Sequence, residues 1–223
     1  PMHKPGFIRS IKVCGITRCE DAARCAALGF GAVGFVFHRA SPRNISPQAA
    51  RAIVDTLPPT MSPVGVFVDE PLETILAIAE AAALTTIQLH GHETESTVTE
   101  LQATGYQVVK VARSAAEARL CIDTLMPQTS ILLECGRGPL PGGNGAAWNW
   151  AEAREVGDPV GIAGGLTPEN LREAVKQSRA VACDISSGVE LAPGVKDPAA
   201  LERLAAAATG LRSANTTFWM SIP

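Results

Sequence analysis

Short apolar runs, rich in β-branched residues, recur along the chain at positions 11–14, 32–37, 64–68, 86–89, 107–111, 130–133, 160–163 and 181–185. Each is bounded by turn-forming residues and reads as a buried strand. Helical patterns rich in Ala, Leu, Glu and Arg lie between them, at 20–28, 47–57, 72–82, 94–103, 115–125, 168–177 and 198–208. A further helix near 150–155 has the weakest pattern. The start signals are chemical. Thr17 and Glu20 have the spacing of a capping box, and Ser46-Pro47, Thr167-Pro168 and Asp197-Pro198 each set a capping side chain before a proline at the first helical position. Strand followed by helix, repeated about eight times, requires parallel strands with right-handed crossovers. Closing them predicts an α/β fold of one domain, a (β/α)8 TIM barrel. An open doubly wound sheet fits less well, because eight units exceed its usual size and no Gly-x-Gly-x-x-Gly follows the first strand. The barrel is expected over 11–212, after an extension at 1–10 and before a tail at 213–223. Phe218 and Trp219 in that tail are expected to dock on the surface.

Bulk properties narrow the class. A chain of 223 residues buries enough apolar surface to stand without a disulfide or a metal. Its net charge of −3 gives no reason to expect nucleic acid or an anionic membrane as a partner. No signal-like segment and no bilayer-length apolar stretch is present. The six cysteines, at 14, 19, 25, 121, 135 and 183, include no Cys-x-x-Cys pair, poor spacing for zinc or for a disulfide framework. Reduced thiols in the cytoplasm are the simplest account.

In a barrel the chemistry belongs at the carboxyl ends of the strands. Cys14 ends the first strand and Glu134 follows the sixth, on opposite sides of the mouth. A thiolate there can remove a C–H proton while a carboxyl donates one to oxygen, the two-group logic of an isomerase. Arg43, in the Ser-Pro-Arg-Asn-Ile-Ser loop, can grip a carboxylate in a fork. His90 is a candidate ligand contact, and Asp184 ends a buried strand where a carboxylate needs a partner. Gly164 and Gly165, then Ser186, Ser187 and Gly188 after the last strand, offer backbone N–H groups and hydroxyls for a phosphate. A glycine-rich loop runs over 141–145. The other five cysteines read as small buried fillers, and Asp69 and Glu70 as a solvated helix entrance.

Lys-Val-Cys-Gly-Ile-Thr at 12–17, Gly-Phe-Val-Phe at 34–37 with Ser-Pro-Arg-Asn-Ile-Ser at 41–46, Val-Gly-Val-Phe-Val at 64–68, Gln-Leu-His-Gly at 88–91, Pro-Gly-Gly-Asn-Gly at 141–145, Ala-Gly-Gly-Leu-Thr-Pro-Glu-Asn at 163–170 and Asp-Ile-Ser-Ser-Gly-Val-Glu at 184–190 complete a set. In sequence and order it resembles phosphoribosylanthranilate isomerase of tryptophan biosynthesis, from Ile11 to about Leu211. The resemblance implies a cofactor-free, metal-free Amadori rearrangement of a phosphorylated sugar–anthranilate conjugate, by a monomer or homodimer. It puts the general base at Cys14 and the general acid at Glu134. It puts the grip on the anthranilate carboxylate at Arg43, substrate contacts at His90 and Asp184, and the phosphate around Gly164, Gly165, Ser186 and Ser187. Two positions depart from the family's pattern: Glu134 stands where aspartate is usual, and Trp148-Asn149-Trp150 where the family has Phe-Asp-Trp. Two alternatives stay open. One is a barrel that binds a sugar phosphate with weak or lost catalysis. The other is a related histidine-pathway or dual-substrate isomerase, whose second phosphate Asp69 and Glu70 would repel.

Overall fold

The computed structural model describes residues 7–125, 127–135, 147–211 and 218–219. Eight parallel strands close into one barrel: β1 (Ile11–Cys14), β2 (Ala32–Val36), β3 (Ser62–Phe67), β4 (Thr86–Leu89), β5 (Gln107–Ala112), β6 (Ser130–Leu133), β7 (Gly161–Ala163) and β8 (Ala182–Ile185). The ring shuts where β1 pairs with β8, Lys12 lying opposite Asp184. The (β/α)8 expectation is met.

Helices α1 (Cys19–Leu28), α2 (Pro47–Val54), α3 (Leu72–Ala81), α4 (Glu95–Ala103), α5 (Ala115–Thr124), α6 (Leu171–Ser178) and α7 (Pro198–Ala208) surround it. The connection between β6 and β7 carries a 3-10 helix, Trp150–Val156, the segment whose helical pattern is weakest. A small hairpin of β9 (Glu190–Ala192) and β10 (Val195–Lys196) follows β8.

The proline-marked starts behave unequally. Ser46 and Asp197 cap α2 and α7 through bonds from Ala49 N–H and Ala199 N–H. At Thr167 the hydroxyl accepts from Asn170 N–H instead, and α6 begins only at Leu171. The Thr17–Glu20 capping box does not form. Arg18 is the cap position of α1, and the Thr17 hydroxyl donates to Gly194 O in the β9–β10 turn. A tertiary acceptor here outcompetes the local one.

Two cores result. One fills the shell between strands and helices. The other lies inside the barrel, where Ala32, Val64, Leu132 and Ala182 pack with Phe218 and Trp219. The expected surface docking of those two aromatics is therefore corrected: they are 4 % and 1 % exposed. The interior offers small residues at this level, and the missing side chain of Gly161 leaves room for the Phe218 ring.

Candidate active site

The carboxyl ends of the strands open into one cleft, where small-molecule sites of such barrels lie. Cys14, Arg43, His90, Glu134 and Asp184 all line it, as do Gly164, Gly165, Ser186 and Ser187. The strand-end rule brings these residues from six separate chain segments to one place.

Cys14 lies against Gly34 of β2. A Cβ on Gly34 would come within 2.7 Å of Cys14 Sγ and 2.9 Å of Lys12 Nζ, so thiol and ammonium share the space the glycine leaves. Lys12 is wholly buried, its Nζ 2.9 Å from Asp184 Oδ2. That pair is close but outside hydrogen-bond alignment. Burial pushes the Cys14 thiol above its ordinary value, and the Lys12 charge opposes that rise. For Lys12, burial works against the ammonium, yet Asp184 and Cys14 together hold its pKa above the usual lysine value. Lys12, one strand pleat below the sulfur, is thus the largest of the influences that favour its charged form.

Across the cleft, His90 Nε2 is 3.3 Å from Glu134 Oε2. The His90 backbone is fixed on both sides: its N–H donates to Phe67 O at 2.9 Å, and Arg113 Nη2 reaches its carbonyl. A Cβ on Gly164 would lie 3.2 Å from Glu134 Cγ. Trp148 flanks the same glycine and donates its indole N–H to Ala163 O at 2.8 Å. Asn149 accepts from Ala151 N–H and starts the 3-10 helix.

Asp184 also approaches Gln88 Nε2 at 3.5 Å. Asp184 Oδ1 and Gln88 Oε1 are buried without a hydrogen-bond partner among the described residues. Both side chains line the cleft.

Arg43 is gripped by Glu190. Nε lies 3.0 and 3.1 Å from the two carboxylate oxygens and Nη2 is 2.7 Å from Oε2. Lys196 Nζ reaches the same carboxylate at 2.7 Å and also donates to Cys14 O. Burial would raise the Glu190 carboxyl, but Arg43 and Lys196 hold it below the usual range. Burial lowers the pKa of Lys196. The bond to Glu190 raises that of Arg43. Gly15, at φ +79°, lets the Arg43 chain pass, since a Cβ there would meet Arg43 Cδ at 2.5 Å.

Gly164 and Gly165 take the left-handed conformation, φ +85° and +67°. Asn170 braces their loop, donating to Gly165 O and accepting from Thr167 N–H, both at 2.8 Å. Ser186 Oγ donates to Cys14 O at 3.1 Å, and Ser187–Val189 makes a short 3-10 turn. Gly188 stands behind the cleft, where a Cβ would be 2.0 Å from Leu166 O. Its bareness lets the two loops abut.

Lys12, Gln88, Glu190 and Lys196 were not singled out from sequence. Lys12 and Gln88 sit two residues before Cys14 and His90, on the same strand face, and that period-two signal could have found them. Of the cysteines read as fillers, Cys25 and Cys183 are buried and Cys121 and Cys135 partly so, but Cys19 is exposed, because it starts α1 on its outer side. Burial pushes Cys25 and Cys135 up to about 12, which leaves them unreactive near neutrality. The loop at 141–145 lies outside the described residues. Among the described residues no cluster of His, Cys, Asp and Glu could hold a metal, and no helix is long and apolar enough to cross a membrane.

Residues 11–206 match the family model for N-(5'-phosphoribosyl)anthranilate (PRA) isomerase. A curated N-(5'-phosphoribosyl)anthranilate isomerase of Desulfatibacillum aliphaticivorans is 40 % identical over 201 residues, covering 89 % of this chain and 92 % of the relative. The crystal structure of phosphoribosyl anthranilate isomerase from Thermus thermophilus aligns with a TM-score of 0.81 and 42 % identity, over 91 % of this chain and 99 % of that one. A further crystal structure, in complex with reduced 1-(o-carboxyphenylamino)-1-deoxyribulose 5-phosphate, aligns with a TM-score of 0.77 and 34 % identity, over 90 % and 98 %.

Proposed function

The chain belongs to the N-(5'-phosphoribosyl)anthranilate isomerase family, and on that premise we propose how its residues divide the chemistry. The reaction is the Amadori rearrangement of N-(5'-phosphoribosyl)anthranilate to 1-(2-carboxyphenylamino)-1-deoxyribulose 5-phosphate, a step of tryptophan biosynthesis.

Glu134 gives a proton to the furanose oxygen. The anilino nitrogen lone pair closes a C1'=N bond as the C1'–O bond breaks. The Cys14 thiolate then takes the C2' proton, and the released electron pair forms C1'=C2' and neutralises the nitrogen. Loss of the 2'-hydroxyl proton and gain of one at C1' leaves the ketone. Each bond change is driven by a proton transfer, which is what a thiol and a carboxyl on opposite walls can supply.

The remaining residues hold the substrate. The phosphate sits between Gly164-Gly165 and Ser186-Ser187, where left-handed glycines and two hydroxyls favour a dianion. Asp184 and Gln88 supply acceptors for sugar hydroxyls. Arg43 meets the anthranilate carboxylate while Glu190 keeps its guanidinium in place. His90 sets the Glu134 carboxyl. The longer Glu134 is accommodated against Gly164 and Trp148, and Asn149 serves as a helix cap, so neither departure from the family's pattern empties the site.

The single observation that carries this reading is the common cleft of Cys14 and Glu134 beside the two glycine- and serine-bearing loops. The test is to add N-(5'-phosphoribosyl)anthranilate and follow its fluorescence. Rapid decay is expected with this protein and not with Cys14→Ala. A stable signal with tight binding would instead make the barrel a binder that has lost catalysis.

A further inference from the structure

Phe218 and Trp219 enter the barrel from the face opposite the cleft. Trp219 Nε1 donates to Ser10 O at 2.9 Å, just before β1. The hydroxyl of Thr86, at the start of β4, donates to Trp219 O at 2.9 Å, and that of Ser130, at the start of β6, to Phe218 O at 3.3 Å. The two rings meet edge to face with centroids 4.7 Å apart. These bonds fix the Trp219 plane, and its face is turned to Lys12, with Nζ 5.5 Å from the ring centroid.

A buried ammonium is costly unless its surroundings compensate it. Lys12 has three such surroundings: the Asp184 carboxylate, the Cys14 sulfur and the electron-rich ring. Cation–ring attraction is strongest when water is kept out, and here both Lys12 and Trp219 are fully buried.

We propose that Trp219 forms the working floor of the active site, holding the Lys12 ammonium against Cys14 and Asp184 so that both Trp219 and Lys12 are positioning residues for the thiol. This rests on the reading of Cys14 as the base. The other charges near the sulfur are committed elsewhere: Lys196 on β10 and Arg43 on the β2–α2 loop both pair with Glu190 on β9. Asp184 on β8 opposes thiolate formation, and His90 with Glu134 forms the far wall. Lys12 is the cation that approaches the sulfur from within the barrel. Take away the ring face, and water entering the base draws the ammonium downward, leaving the thiolate less supported.

Three full-length proteins test this: Trp219→Phe, Trp219→Leu, and one carrying tetrafluorotryptophan at position 219 alone, which keeps the ring's shape but weakens its face. Two measurements are made on each. One is the rate of Cys14 alkylation by iodoacetamide, read on the Cys14 peptide by mass spectrometry. The other is the pH profile of kcat/KM. With Leu or the fluorinated ring, alkylation at pH 7 is expected to slow about threefold to tenfold. The kcat/KM at pH 7 should fall by a similar factor and recover at higher pH, with KM nearly unchanged. Trp219→Phe should stay within about twofold of the parent protein. The fluorinated protein keeps the test decisive should Trp219→Leu not fold. Alkylation and pH profiles identical to the parent in the fluorinated protein would overturn the proposal and leave Trp219 a packing residue. Cys14→Ala in the same assay separates the two ideas: retained activity would refute Cys14 as base, while the alkylation rates still decide what Trp219 does to the thiol.

Discussion

Arg43 and Glu190, 147 residues apart in sequence, meet in a two-pronged ion pair with side chains 8 % and 3 % exposed. Lys196 completes the group on the other side of Glu190. Removing one member of a buried pair leaves its partners charged and unpaired. Glu190→Ala is therefore expected to lower unfolding free energy by about 3–5 kcal/mol, measured by urea denaturation at pH 7. A loss under about 1 kcal/mol would show that water compensates the two cations.

The same group sets a pH dependence. The folded-state carboxyl of Glu190 is held below its ordinary value. Its contribution is thus present above the ordinary carboxylate range and is lost as pH falls through the depressed value. The stability difference between the parent and Glu190→Gln should be largest near neutrality and shrink at pH below about 4. A difference that grows on acidification would contradict the assignment.

Glu134→Gln keeps the shape and removes the proton. Turnover should fall by about 10²–10⁴, with KM for N-(5'-phosphoribosyl)anthranilate little changed. Glu134→Asp withdraws the carboxyl from His90 by about 1 Å and should cost up to about 100-fold, even though aspartate is the family's usual residue. Full activity in the aspartate variant would mean that the His90 contact does not place the acid.

Gly34→Ala drives a methyl group into the space shared by Cys14 Sγ and Lys12 Nζ, at 2.7 and 2.9 Å. We expect kcat to drop at least about tenfold, since separations of this size misplace reacting groups. The circular dichroism spectrum should stay that of a folded barrel. Unchanged kcat would show that the thiol and ammonium tolerate being pushed apart.

Gly188→Ala tests the joint between the two loops proposed to hold the phosphate. Its Cβ would meet the backbone oxygen of Leu166 at 2.0 Å, and backbone cannot swing aside as a side-chain tip can. Destabilisation of about 1–3 kcal/mol and weaker binding of inorganic phosphate are expected together, by thermal melting and calorimetry. Loss of stability with phosphate affinity intact would place the anion elsewhere.

Much of this site was legible in the sequence because a strand end is a local event. Cys14, His90 and Asp184 each sit at or beside the last residue of an apolar run, and Ser46 and Asp197 announce their helices by side-chain chemistry alone. What escaped was set by distance along the chain. Thr17 looks like a helix cap until the β9–β10 hairpin offers it an acceptor 177 residues later. Glu190 is an ordinary turn residue until Arg43 and Lys196 close around it. Phe218 and Trp219 carry no periodic signal, and only the narrow side chains inside the barrel, Ala32, Ala182 and bare Gly161, explain why they are swallowed rather than left outside.

Lys12 and Asp184 belong to the first and eighth strands and face each other across the seam that shuts the ring. During synthesis the cysteine emerges early and its lysine neighbour with it, but the acid that steadies that lysine arrives some 170 residues afterwards. The young polypeptide consequently carries this lysine without its acid, and the pair is made only with the last lock of the staves.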